Sequence, residues 1–90
     1  MIRLWADFNA SSDNGLRLNC RGTINDLSRQ EIELKEGLEL LLWDEDTDEN
    51  DNPDNLIVKA IAHFDDRKKI WEGVFEWKNI KHESELLKRD

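Results

Sequence analysis

Apolar and polar residues alternate with period two along most of this chain, the pattern of half-buried strands. Ile2, Leu4, Ala6 and Phe8 share one face, and Arg3, Trp5 and Asp7 the other. Turn formers fill residues 9–15, from Asn9 to Gly15. Leu16, Leu18 and Cys20 then alternate with Arg17, Asn19 and Arg21. The short polar connection predicts an antiparallel hairpin of these first two strands.

Residues 23–31 break the alternation. Thr23 to Asp26 forms a weak capping box and Ser28 to Glu31 a proper one. Apolar density here supports only one or two turns, so a short helical or 3₁₀ insert is expected, anchored by Ile24 and Leu27. A brief alternation over residues 32–37 stops at Gly37. Leu38 to Trp43 is largely apolar on both faces, as in a central strand or in one whose second face is covered. Residues 56–64 send Leu56, Val58, Ala60, Ala62 and Phe64 inward, and Lys59 and His63 outward. The charged turn 65–69 leads into a strand over residues 70–77. Of its two faces, Trp71, Gly73, Phe75 and Trp77 are expected inside and Glu72 and Glu76 in water. Ile80, Leu86 and Leu87 are the apolar positions available to anchor the tail, as a short edge strand or helical turn.

Five strands, short turns and one helical insert predict a mainly β, single-domain fold over residues 1–90. The expected architecture is a small five-stranded antiparallel barrel or roll, SH3-like first and OB-like second. A 90-residue chain buries only about 60 % of its unfolded surface, so one small core is the limit.

Charge changes this picture at one place. The chain carries 21 acidic and 13 basic residues, a net charge of −8. Seven of those acids fall in residues 44–55, Asp44-Glu45-Asp46-Thr47-Asp48-Glu49-Asn50-Asp51-Asn52-Pro53-Asp54-Asn55, with no base among them. The remainder is almost neutral. Packed like charges repel, so the stretch reads as a flexible, extended loop that adds solubility or docks a basic partner. Asp44, Asp46 and Asp48 repeat like the first ligands of an EF-hand loop. However, Glu49 stands where that loop requires Gly and Asn55 where it requires Glu.

Other chemistry is sparse. A single Cys excludes an internal disulfide and fits a reducing compartment. Cys20 shares the apolar face of Leu16 and Leu18, the place of a buried, inert thiol. His63 and His82 lie far apart, and no C-x-x-C or H-x-x-x-H spacing points to zinc. The four glycines, at 15, 22, 37 and 73, form no phosphate cradle, and no Ser lies in a nucleophile elbow. The expectation is no cofactor, no metal and no enzymatic activity. The chain shows no signal peptide and no apolar run long enough to span a bilayer, so a cytoplasmic protein without membrane contact is expected.

Two groups remain as candidate binding residues. Arg3, Trp5, Arg17 and Arg21 fall on the polar faces of the first two strands. Asp44, Asp46, Asp48 and Asp51 lie in the acidic stretch. The expected function is a non-catalytic protein-interaction or accessory module with another protein as partner. One alternative is single-stranded nucleic-acid binding by the Arg/Trp face, which the net charge disfavours. Another is an acidic inhibitor or immunity-type protein that blocks a basic target, and a small enzyme is the last.

Overall fold

A computed structural model describes residues 1–87, with side chains described through residue 85. The side chains of Leu86 and Leu87, named above as tail anchors, lie outside the described ones. The strands are β1 (Ile2–Trp5), β2 (Gly15–Arg17), β3 (Glu39–Asp44), β4 (Leu56–Asp65), β5 (Ile70–Val74) and β6 (Lys81–His82). The helices are α1 (Arg21–Arg29) and the short α2 (Glu83–Leu87), and Trp77–Asn79 form a 3₁₀ turn. One sheet runs in the order β1-β3-β4-β5-β2, with β6 paired to β4 beyond the end of β5. The protein is thus a small mainly β domain.

The sheet differs from the expected antiparallel barrel in two respects. β1 pairs parallel with β3, setting Ile2 beside Leu40 and Leu4 beside Leu42. β1 and β2 therefore lie at opposite edges, and among the described residues no ladder joins them, so the sheet does not close. The expected hairpin between residues 2–8 and 16–21 is absent for the same reason. Alternation fixes which face a strand buries, and β3 accepts the apolar face of β1 equally well in parallel. What pairs with β2 within its own hairpin is only the short return, where Arg17 N donates to Ala10 O at 2.8 Å and Ser12 N to Gly15 O at 2.8 Å.

One face of the sheet forms the core. Leu4, Ala6, Leu16, Leu18, Leu40, Leu42, Val58, Ala60 and Ala62 are buried together, with Trp71, Phe75 and Ile80 packed against them. Gly73 sits at the crowded centre, where a Cβ would meet Leu42 Cδ1 at 2.7 Å. The Trp71/Gly73/Phe75 face of β5 is thus the inner one. Two parts of that expectation fail. Trp77 leaves the strand for the 3₁₀ turn and remains 48 % exposed, its ring edge-on to Phe75. Glu72, expected in water, is 1 % exposed. It lies between His63 of β4 and Arg17 of β2 in the register, and Asn14 Nδ2 donates to its Oε2 at 3.4 Å.

The insert is a nine-residue α-helix starting at Arg21 rather than at a capping box. Its N-cap is Cys20, which is half-buried there rather than sunk with Leu16 and Leu18. Leu27 packs on the core as expected, but Ile24 is exposed, and the buried residues of the helix are Thr23 and Asp26. The polar residues serve the free edge of β1. Asp26 Oδ2 accepts the Trp5 N–H at 2.8 Å, and Gln30 Nε2 donates to Arg3 O at 2.9 Å. Side chains thereby occupy backbone groups that an exposed edge would offer to another strand. Burial raises the Asp26 carboxyl, but the Trp5 amide, Arg29 and Gln30 outweigh it and hold it below its ordinary value.

Candidate functional site

Sheet order sends β3 and β4 out of one end of the domain, and the acidic stretch joins them there. It is folded, in contrast to the expected extended loop. Asp54 N donates to Asp46 O at 2.9 Å, Asp48 N to Asn52 O at 2.9 Å, and Thr47 bridges Pro53. Asp48 Oδ1 accepts the N–H groups of Asn50 at 2.8 Å and Asn52 at 3.0 Å. Asp51 takes φ 62°, a left-handed conformation that Asp tolerates better than most residues. The result is a small hairpin with the exposed carboxylates of Asp48, Glu49 and Asp51 at its tip. Local hydrogen bonds to backbone N–H groups offset the repulsion among the acids.

The base of the hairpin is fastened to the body. Asp44 Oδ2 accepts the Phe8 N–H at 3.0 Å. Burial, reinforced by neighbouring Glu45, raises the Asp44 carboxyl in spite of that bond. Trp5 Nε1 donates to Glu45 Oε2 at 3.0 Å, and this indole N–H keeps the Glu45 carboxyl low. His82 Nε2 lies 2.7 Å from Asp46 Oδ2. That contact holds the His82 ring above its ordinary value and Asp46 below its own. Ser84 donates twice to Asp54, from its N–H at 3.0 Å and its Oγ at 2.7 Å. A recess of about 330 Å³ between the hairpin and the start of α2 is lined by Asp48, Glu49, Asn50, Asp54, His82, Ser84 and Glu85.

Two groups of candidate residues that the sequence kept apart meet here. Arg3 lies over the Trp43 ring, 5.3 Å from its centroid, and its Nη1 is 2.7 Å from Glu83 Oε1. Trp5 joins the hairpin through Glu45 and packs beside Gly22, where a Cβ would meet its ring at 2.6 Å. Arg3 and Trp5 are thus neighbours of the acidic hairpin. Arg17 is not among them, because β2 lies at the other edge of the sheet. Arg21 opens α1 and is exposed. The basic patch expected from Arg3, Arg17 and Arg21 relied on the hairpin that does not form.

Of the acids, Asp44 supports the structure, Asp46 bonds His82, and Asp48 and Asp51 present charge at the tip. Among the described residues, no three His, Cys, Asp or Glu side chains gather as a metal-ligand set. Nothing local to residues 81–84 marks His82 and Ser84 as the residues that hold the hairpin, and the sequence offers His82 only as a zinc ligand without the spacing for one. A second cluster was also missed. His63 Nδ1 lies 2.7 Å from Glu36 Oε2, and its Nε2 lies 4.0 Å from the buried Glu72. The Glu36 contact raises His63, and the Phe64 amide together with His63 lowers Glu36.

Among the described residues, no helix is long and apolar enough to cross a membrane. No protein-family model, curated protein or solved structure matches the chain.

Proposed function

We propose that the protein is a non-catalytic interaction module that docks a basic protein partner through its acidic hairpin. One observation carries this reading. The exposed carboxylates of Asp48, Glu49 and Asp51 crown a hairpin that hydrogen bonds hold in one shape and that His82 and Ser84 fasten to the sheet. A preformed charged projection loses less entropy on binding than a loop ordered at the moment of contact. Its field steers a basic surface toward it and raises the association rate. An inhibitor or immunity-type role is the same contact made with a basic enzyme or toxin. The separation of Arg17 from Arg3 removes the main support for the nucleic-acid alternative.

The test is a pull-down from source-cell lysate with two baits, the wild type and the triple variant Asp48→Asn, Glu49→Gln, Asp51→Asn. Asn at 48 retains an oxygen for the Asn50 and Asn52 amides, so the hairpin keeps its shape while losing charge. A basic protein captured by wild type and lost from the variant supports the reading. Equal capture by both baits contradicts it, and nuclease-sensitive capture returns the question to nucleic acid.

A further inference from the structure

The outer face of the sheet carries a break that the acidic hairpin does not use. On one side β4 pairs continuously with β3. On the other it pairs with β5 as far as Ile61↔Val74 and with β6 from Ile57↔Lys81. Four steps along β4 thus face seven along the following chain, and the surplus makes the excursion that holds the 3₁₀ turn. Lys59 lies opposite this gap. Ala62 exchanges its backbone bonds with Gly37 and Leu38 on the β3 side, at 2.9 Å each. N–H and C=O alternate sides along a strand, so those of Lys59 turn toward the gap, where neither ladder supplies a partner.

A groove of about 280 Å³ occupies that place, lined by Leu41, Ile57, Val58, Lys59, Asn79 and Lys81. Its floor is apolar, with Ile57 buried and Leu41 half-buried. Its rim is cationic. Among the described residues, neither Lys59 nor Lys81 has an ion-pair partner, in a chain with 21 acids. The nearest acid in the register is Glu39, which shares a separate recess with Lys59, Met1, Ala60 and Ile61. Arg3, in the row of Leu41 and Lys59, is held by Glu83.

The geometry points to a binding site for a small organic monocarboxylate with an apolar body, its ring or short chain on Leu41 and Ile57 and its carboxylate between Lys59 and Lys81. The Lys59 amide and the Asn79 side chain are the further polar groups at the gap. The groove is slightly smaller than the roughly 300–1,000 Å³ typical of drug-sized ligands, so the ligand is a compact one. Apolar area supplies attraction and the unpaired cations select the charge.

The probe is phenylacetate, titrated into the full-length protein and followed by amide and side-chain NMR. Its neutral analogue phenylacetamide and bare acetate are the controls. The expected result is saturable shifts at the Lys59 amide and the Asn79 side chain, with a dissociation constant on the order of a millimolar for a ligand this small. Phenylacetamide binds at least about tenfold more weakly, as do Lys59→Gln and Lys81→Gln, the loss expected when a charged hydrogen bond goes. Acetate, which lacks the apolar body, is weaker by at least about as much. Both lysines are exposed, and spectral dispersion of the variants verifies their fold. Equal binding of acid and amide, of phenylacetate and acetate, or of wild type and both variants overturns the proposal. So do shifts that map elsewhere or never saturate.

Discussion

His82 Nε2 lies 2.7 Å from Asp46 Oδ2, joining the last strand of the sheet to the base of the acidic hairpin. Asp54 and Glu85 add negative charge around the same ring. His82 is therefore raised from its ordinary 6.5 and Asp46 lowered from its ordinary 3.8. A raised His contributes stability in full below its unfolded value and loses it as pH rises through the higher folded one. A lowered Asp contributes above its unfolded value and loses that as pH falls through the lower folded one. The contact is strongest between those two ordinary values. The urea midpoint of the wild type should fall between pH 5.5 and pH 8.5, and that of His82→Gln should fall less. Equal falls would show that the contact contributes nothing to the pH dependence.

Asp26 is 8 % exposed and accepts the Trp5 N–H at the free edge of β1. Asp26→Ala leaves that donor without a partner beside the half-buried Trp5 and should cost about 1–3 kcal/mol in chemical denaturation. Asp26→Asn retains an acceptor oxygen and should cost less. Matching losses for the two variants would show that charge, not the edge bond, is what matters.

A Cβ on Gly15 would stand 1.8 Å from the Gly73 carbonyl oxygen. Because the obstacle is backbone, Gly15→Ala must push β2 away from β5, where Gly15 pairs with Val74. A loss of at least about 1–3 kcal/mol is expected, with hydrogen-exchange protection falling first in residues 15–17. An unchanged melting temperature would contradict this close approach.

Glu72 Oε1 is buried without a hydrogen-bond partner among the described residues. Glu72→Leu keeps similar bulk and removes the orphan oxygen, so it should raise stability by roughly 1 kcal/mol at neutral pH. Glu72→Ala, which leaves a void, should lower it. Destabilisation by Leu as large as that by Ala would show that the carboxylate is fully satisfied.

These sites also show what the sequence could reveal. Alternation at Ile2/Leu4 and Val58/Ala60/Ala62 marks the inner face, because period two specifies a face directly. Leu38 to Trp43, apolar on both faces, leaves open that Leu40 and Leu42 are the buried ones. Alternation does not specify a partner, and so the parallel pairing of β1 with β3 was not legible. Glu72 has the periodicity of a solvent position. Its burial comes from Asn14 and from neighbouring strands, and a one-dimensional pattern contains neither. α1 has no apolar stripe to read, since of its inward residues Thr23, Asp26 and Leu27 only Leu27 is apolar, and Asp26 serves an open strand edge. The acidic stretch was plain as charge. Its attachment to the sheet depends on His82 and Ser84, some thirty residues away.

The central claim is that charge at the hairpin tip recruits a basic partner. The most direct measurement is the association rate of the captured partner with wild type and with the Asp48→Asn, Glu49→Gln, Asp51→Asn variant, at several salt concentrations. The account predicts that the variant associates at least about tenfold more slowly at low salt, with a flatter salt dependence and a dissociation rate little changed. An unchanged association rate, or a loss confined to faster dissociation, would contradict it.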